Sequence, residues 1–196
     1  MSGLRILILA AGYSRRLGRP KALVRIRGQS LLRRIARVLG PLSDRALIIV
    51  TPPRCTRYRH ELRGHAVRLV ANPGRASGLS GSVRRGLAHT RWSAATLIVP
   101  GDLAALERAD VERLLKRWHA APRRIAARRI GERGGAPLIL PRRCYPLVRD
   151  ITGDTGLREW LMTVPASDRV LADMPSAERD IDTPRDLELA RRSPRR

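Results

Sequence analysis

Short apolar runs alternate along this chain with longer segments in which apolar residues recur at every third or fourth position. The short runs predict buried strands, and the wider spacing predicts helices with one face on the core. The predicted strands are Leu4–Leu9, Ala46–Val50, Val67–Val70, Ala95–Val99 and Ile125–Ala127, with shorter candidates at Pro137–Leu140 and Arg169–Leu171. The predicted helices lie near Ser30–Leu39, Arg57–Leu62, Ser82–Thr90, Ala109–Trp118, Gly156–Met162 and Pro184–Arg191. Such alternation is typical of a three-layer α/β/α fold with a mostly parallel central sheet.

Parallel sheets of this kind bind their ligands in the crevice beyond the carboxyl ends of the strands. The loops that follow Ala10 and Pro100, and the segment around Asn72, are expected to leave the sheet at that edge. Residues that carry chemistry are therefore sought in these three loops.

The chain has 196 residues, of which 43% are hydrophobic. This length suits one α/β domain, so we expect a single domain over residues 1–192 and a frayed tail at 193–196. No apolar run approaches the roughly 20 residues that a membrane span requires, and no cleavable leader is recognisable. Cys55 and Cys144 suggest no disulfide framework. We therefore expect a cytoplasmic protein without a membrane partner.

The formal net charge of +23 would attract any polyanion. The arginines are spread along the chain, however, and there are only three Trp, three Tyr and no Phe to stack on bases. We expect no specific nucleic-acid partner, although a non-catalytic polyanion binder stays open as an alternative.

The segment most informative about function spans residues 9–21, from the last residue of the first predicted strand onward. It reads Leu-Ala-Ala-Gly-Tyr-Ser-Arg-Arg-Leu-Gly-Arg-Pro-Lys. Glycines, a hydroxyl and cations in such a loop favour binding of a polyphosphate. Lys21 stands out because 38 of the 40 basic residues are arginine, Lys116 being the other lysine. The spacing fits neither a Walker loop nor a dinucleotide fingerprint.

The pattern LAAGxSxRxGxxK resembles the opening of the MobA-like nucleotidyltransferases, and among them most closely the molybdenum cofactor cytidylyltransferases. The resemblance implies a Rossmann-like nucleotidyltransferase fold and assigns nucleotide contacts in this loop to Leu9, Ala10, Ala11, Gly12, Ser14, Gly18 and Lys21. It further implies that Lys21 and Arg16 stabilise the triphosphate and the departing pyrophosphate. An ordinary basic turn is the alternative interpretation of the loop.

A second segment, from Asn72 to Leu87, is rich in glycine and serine and precedes a predicted helix. Asn72, Gly78, Ser82 and Gly86 fall where the resembling family places its nucleotide-contacting loop, and the first three are the candidate nucleotide contacts. A loop followed by a standard helix cap explains the same residues without any ligand.

Two acidic positions are candidates for holding Mg²⁺. Asp102 follows a predicted strand directly, and a carboxylate there is well placed to hold magnesium against phosphate oxygens. Asp182 lies in a run that resembles the DIDTPEDL ending of the family, and we expect it to be a second metal ligand. A turn or helix cap is the alternative for each. The family continues its aspartate as Asp-x-Pro, whereas this chain has Ala104.

Two further segments resemble the family's GHP and GDxGAR motifs, which face the acceptor substrate. The resemblance assigns this acceptor side to Gly135, Pro137, Gly153 and Asp154. The chain departs from the two motifs at Ala136 and Leu157, so the acceptor is less defined than the nucleotide chemistry.

The resemblance implies a magnesium-dependent transfer of CMP from CTP to molybdopterin, with release of pyrophosphate. It also implies transient contact with a molybdoenzyme or its chaperone. Ala10-Ala11-Gly12 resembles the cytosine-using branch. GTP as donor, another small phosphorylated acceptor, and a relative that binds nucleotide without turnover all stay open.

Overall fold

The computed structural model describes residues 3–12, 17–74, 78–149, 151, 157–178 and 185–188. Its strands are β1 (Leu4–Leu9), β2 (Arg25–Ile26), β3 (Gln29–Ser30), β4 (Leu47–Thr51), β5 (Val67–Ala71), β6 (Ala95–Pro100), β7 (Ile125–Ile130), β8 (Arg133–Pro141) and β9 (Arg169–Ala172). Its α-helices are α1 (Leu31–Leu39), α2 (Thr56–Glu61), α3 (Gly78–Leu87), α4 (Arg108–Ala120), α5 (Tyr145–Arg149) and α6 (Leu157–Thr163). Residues 185–188 are also helical. No helix in these ranges is long and apolar enough to cross a membrane.

Seven of the described strands form one sheet in the order β5-β4-β1-β6-β8-β7-β9. β1 pairs in parallel with β4 and β6, β4 pairs in parallel with β5, and β7 pairs in parallel with β9. β8 is antiparallel to both of its neighbours. The expected mostly parallel sheet is thus confirmed, with one strand reversed.

The reversal of β8 has a local cause. Only residues 131–132 separate β7 from β8, and Gly131 has φ +56°. A two-residue connection with positive φ produces an antiparallel hairpin, whereas a parallel return would need a crossover of a dozen residues. The two strands are also longer than the predicted apolar runs, because Arg128 and Arg129 interrupt the pattern while still pairing with β8.

A small hairpin, β2–β3, has no counterpart among the predicted elements. Its turn places Arg27 at φ +51° and Gly28 at φ +80°, the two positive values that a tight hairpin turn requires. Each strand has only two residues, which is too short for a hydrophobic pattern to reveal.

Helices cover both faces of the sheet, as predicted. Ile6 and Ile8 of β1 pack in one buried cluster with α1, α2 and α4. Leu7 and Leu9 pack in a second cluster with α3, α5 and α6. A strand with both faces covered has no solvent side, which explains its nearly uninterrupted apolar run.

Helix α3 begins earlier than predicted. The sequence suggests a helix over Ser82–Thr90, whereas the helix spans Gly78–Leu87 and Thr90 lies in the following turn. Glycine and serine have low intrinsic helix propensity, which obscures the first turn. Tertiary packing outweighs this preference, since Ser80, Gly81, Ser82 and Gly86 are all buried.

We predict that Gly86→Ala destabilises the protein by about 1–3 kcal/mol, although alanine is the better helix former. A Cβ at position 86 would lie 2.4 Å from Cδ1 and 3.0 Å from Cγ of Leu7, whose side chain is fully buried and has no room to move aside. Urea unfolding measures the change. The double variant Gly86→Ala/Leu7→Ala should lose less free energy of unfolding than the sum of the losses in the two single variants. A loss equal to that sum would contradict this packing explanation.

Candidate active site

The carboxyl ends of β4, β5, β1 and β6 meet at one edge of the sheet, because these neighbouring strands are parallel. From β1 the chain crosses over α1 to β4 on one side, while β6 lies on the other side. The direction of connection therefore reverses between β1 and β6, and such a reversal opens a crevice for a ligand.

Two oppositely charged side chains meet at this crevice. Nζ of Lys21 lies 3.5 Å from Oδ2 of Asp102, and the two side chains are 17% and 29% exposed. Lys21 begins a 3₁₀ turn that leads away from the β1 loop, and Asp102 follows β6 by two residues. The structure thus brings together the lysine and the acid that the sequence singles out separately.

The end of β1, beneath this pair, is firmly held. The Ala10 amide donates to the Val50 carbonyl (2.8 Å), and the Gly101 amide donates to the Leu9 carbonyl (2.9 Å). The buried Tyr58 hydroxyl donates to the Ala10 carbonyl at 3.3 Å. A Cβ on Gly101 would lie 2.8 Å from the Leu9 carbonyl oxygen, so a glycine is required next to Asp102. These contacts therefore fix the positions at which the two loops leave the sheet.

The remaining residues predicted in the β1 loop are placed as follows. The side chains of Leu9, Ala10 and Ala11 are buried, which leaves backbone groups as their means of contact with a ligand. Gly12 is exposed, and Gly18 has φ +66°, a conformation that favours glycine. The predicted Ser14 and Arg16 lie outside the described residues.

Asn72 and Ser82 are both buried, and Nδ2 of Asn72 donates to Oγ of Ser82 at 3.1 Å. The Asn72 amide also donates to the carbonyl of Thr51 (2.9 Å). Gly78, at φ +74°, begins α3 between them. These contacts give Asn72 and Ser82 a structural role, the bracing of α3 against the end of β5, and their contact with a nucleotide stays a prediction.

On the acceptor side, Gly135 and Pro137 are buried on β8, next to Leu138, which pairs with Ile98 near the carboxyl end of β6. A Cβ on Gly135 would lie 2.3 Å from Cδ1 of Ile130, the end of a half-buried side chain, so a larger residue there would require Ile130 to move. The predicted Gly153, Asp154 and Asp182 lie outside the described residues.

The structure adds an anchor that the sequence analysis missed. The hairpin that follows Lys21 is tied to α2, since Arg25 forms an ion pair with the Glu61 carboxylate. From α1, Nη1 of Arg33 donates to the Glu61 carbonyl at 2.7 Å. Burial alone would raise the pKa of Glu61, but hydrogen bonds from Arg25 and Ser30 and the charges of Arg25 and His60 outweigh it, so the pKa is lowered. No sequence pattern marks such a contact, because its partners are 36 residues apart.

The MobA-like NTP transferase domain matches residues 6–170, most of the chain. The chain belongs to the MobA-like NTP transferase family. It is therefore a nucleotidyltransferase, as the β1 loop indicates.

Individual relatives agree with the family. The molybdenum cofactor guanylyltransferase of Pseudomonas putida is 30% identical over 189 residues, which cover 89% of this chain and 94% of that protein. A nucleotidyl transferase from Methanothermobacter (Mth528) superposes with a TM-score of 0.79 at 24% identity, covering 96% of each chain. Rv0371c of Mycobacterium tuberculosis, solved in complex with manganese, superposes with a TM-score of 0.74 at 21% identity over 98% of this chain and 100% of its own. At these identities the two solved structures support the Rossmann-like fold.

We predict that Glu61→Gln destabilises the protein near neutral pH and that the difference from the unmodified protein shrinks in acid. Because the folded-state pKa is below the ordinary value of 4.5, the carboxylate stabilises the fold above that value. This stabilisation is lost as the pH falls through the lowered pKa. Urea unfolding at several pH values measures the difference.

Glu112→Gln is the matched control, because Glu112 pairs with Arg108 on the exposed face of α4 (2.7 Å). An exposed pair of this kind contributes little. A Glu61→Gln difference that stays constant from neutral pH to acid would contradict the anchoring role of Glu61.

Proposed function

We propose that the protein transfers a nucleoside monophosphate from a nucleoside triphosphate to a phosphate of a molybdopterin-type acceptor, with release of pyrophosphate. The observation that carries this proposal is the meeting of Lys21 with Asp102 at the crevice between β1 and β6. The family assignment supports the reaction class, and the relatives named molybdenum cofactor guanylyltransferase support the acceptor class.

Lys21 would bind the phosphate groups of the nucleotide. Its ammonium group is a compact charge on a partly buried side chain, compensated here by Asp102. At 3.5 Å and with water reaching both groups, such a pair typically contributes about 1 kcal/mol. Phosphate oxygens can therefore replace the carboxylate as partner of the ammonium group. Gly12, Gly18 and Arg16 are the loop residues proposed to complete this phosphate site.

The chemistry of Asp102 fits a divalent cation. Magnesium is usually held by one or two carboxylates together with phosphate oxygens and water. Among the described residues no group of three His, Cys, Asp or Glu could hold a metal by itself, which agrees with an ion that arrives with the triphosphate. Asp102 is the proposed ligand and Asp182 the second. Bound there, Mg²⁺ would neutralise charge on the triphosphate.

The transfer itself demands little acid–base chemistry from the protein. The acceptor phosphate is already an anionic nucleophile, so an oxygen of it can bond to the α-phosphorus while the bond to the β-phosphate oxygen breaks. The main task of the protein is to align the two substrates. Lys21 and Arg16 would stabilise the departing pyrophosphate. Gly135, Pro137, Gly153 and Asp154 are proposed to face the acceptor.

GTP and CTP are the two candidate donors of the nucleoside monophosphate, and one observation favours each. The Pseudomonas putida relative is named a molybdenum cofactor guanylyltransferase and aligns with 89% of this chain, which favours GTP. Ala10-Ala11-Gly12 resembles the cytosine-using branch of the family, which favours CTP. GTP has the broader support, because the argument for CTP depends on a single position. The product would then pass to a molybdoenzyme or its chaperone by transient contact.

Pyrophosphate release measured with each of the four nucleoside triphosphates, with and without molybdopterin, tests the proposal. We expect release that requires molybdopterin, a divalent cation and one preferred donor, GTP before CTP. Pyrophosphate release that is equal with and without molybdopterin would refute the acceptor. No release under any combination would refute the enzymatic function.

We predict that Lys21→Ala lowers kcat/KM by about 100- to 1000-fold, as expected when a group that stabilises developing charge is removed. The melting temperature should hardly change, because the pair with Asp102 is partly exposed. Lys116→Ala is the matched control, since Lys116 is the only other lysine of the chain and lies exposed on α4. Equal activity of the two variants would remove Lys21 from the site.

A further inference from the structure

We propose that Leu187 is a positioning residue of the nucleotidyl transfer, because it fastens the C-terminal helical segment to the two loops that bear Lys21 and Asp102. The inference builds on the proposed function of these two residues. The C-terminal segment would thus contribute to the site by packing against the loops that bear Lys21 and Asp102.

The evidence is a third cluster of buried apolar residues, which we call the loop cluster. Its members are Leu17, Val24, Ile26, Leu31, Ala104 and Leu187. In the described part of the chain it is separate from the two clusters that line the faces of the sheet. It packs the loops beside Lys21 and Asp102 against the β2–β3 hairpin, the first residue of α1 and the C-terminal turn, and not against a face of the seven-stranded sheet.

Three members of the loop cluster lie close in sequence to Lys21 or Asp102. Leu17 and Val24 flank Lys21 on either side, and Ala104 follows Asp102 by two residues. The loop cluster thus joins the backbones from which the ammonium and carboxylate groups project. Because those groups are only 3.5 Å apart, a shift of one loop against the other would alter their spacing directly.

The C-terminal segment contributes one residue, Leu187, to the loop cluster. Of residues 185–188, Leu187 is buried with 2% exposure, while Arg185 and Glu188 are exposed. One leucine is therefore the apolar attachment of this helical turn to the loops. A side chain of its size contacts several neighbours at once, so its removal would loosen the whole cluster.

The chain is attached independently upstream of this turn. Asp110, buried on α4, accepts a hydrogen bond from the Ser176 amide (2.7 Å), and Arg128 donates to the Ala177 carbonyl. Asp182 lies in sequence between this upstream attachment and Leu187. Shortening Leu187 should consequently release the loop cluster while the upstream attachment remains.

The test compares Leu187→Ala with Leu39→Ala, a fully buried leucine at the end of α1 that belongs to another cluster. Steady-state kinetics below the melting temperature of each variant should show KM for the triphosphate raised about tenfold in Leu187→Ala. Leu39→Ala should lower the melting temperature but keep KM within about twofold, since it changes packing and not the spacing of reacting groups. Leu187→Met should restore KM, because it conserves volume.

Hydrogen exchange supplies a readout that does not depend on turnover. Leu187→Ala should accelerate amide exchange at residues 17–26 and 101–106, and Leu39→Ala should not. Unchanged exchange there, or faster exchange with an unchanged KM, would overturn the positioning role. If Leu187→Ala fails to fold, Leu187→Val serves in its place. An unmodified protein without pyrophosphate release would refute the proposed function instead, and exchange would still decide whether Leu187 fastens the loops.

Discussion

The central constraint of this molecule is that Lys21 and Asp102 are held 3.5 Å apart at the edge of the sheet. Two parallel neighbours, β1 and β6, end side by side, and the Gly101 amide binds the Leu9 carbonyl so that their loops begin in contact. Glycine at position 101 is part of this constraint, since any side chain would strike the Leu9 carbonyl. The burial of β1 on both faces, the Tyr58 contact and the loop cluster all stabilise the same juncture.

The pair is held in place by its surroundings more than by its own attraction. A partly exposed ion pair at this distance contributes little to folding, so a substrate can take the place of either partner at small cost. The polyphosphate of a nucleotide brings negative charge and phosphate oxygens, which satisfy the ammonium group, and a divalent cation can satisfy the carboxylate. The surface as a whole, with a net charge of +23, raises the local concentration of such anions.

Much of the fold could be predicted from the sequence, because the strands of a doubly covered sheet are continuous apolar runs, as in β1 and β4. That Lys21 and Asp102 would lie at the same edge of the sheet could be expected because strand ends are where such sheets bind ligands, and the roles of the two residues stay predictions. The reversal of β8, the β2–β3 hairpin and the Arg25–Glu61 pair could not, since turn geometry and distant contacts leave no periodic signal. Packing against the fully buried Leu7 also explains Gly86, a residue that a motif alone would assign to ligand binding. Ser14, Arg16, Gly153, Asp154 and Asp182 lie outside the described residues and stay predictions, as do the ligand contacts of the other site residues.

Binding of Mn²⁺ together with a non-hydrolysable nucleoside triphosphate, followed by electron paramagnetic resonance, tests the central claim most directly. The account predicts that Asp102→Asn weakens binding of the metal–nucleotide complex by about tenfold or more, while metal-free nucleotide binding stays within about twofold. Affinity for the metal–nucleotide complex equal to that of the unmodified protein would contradict the account.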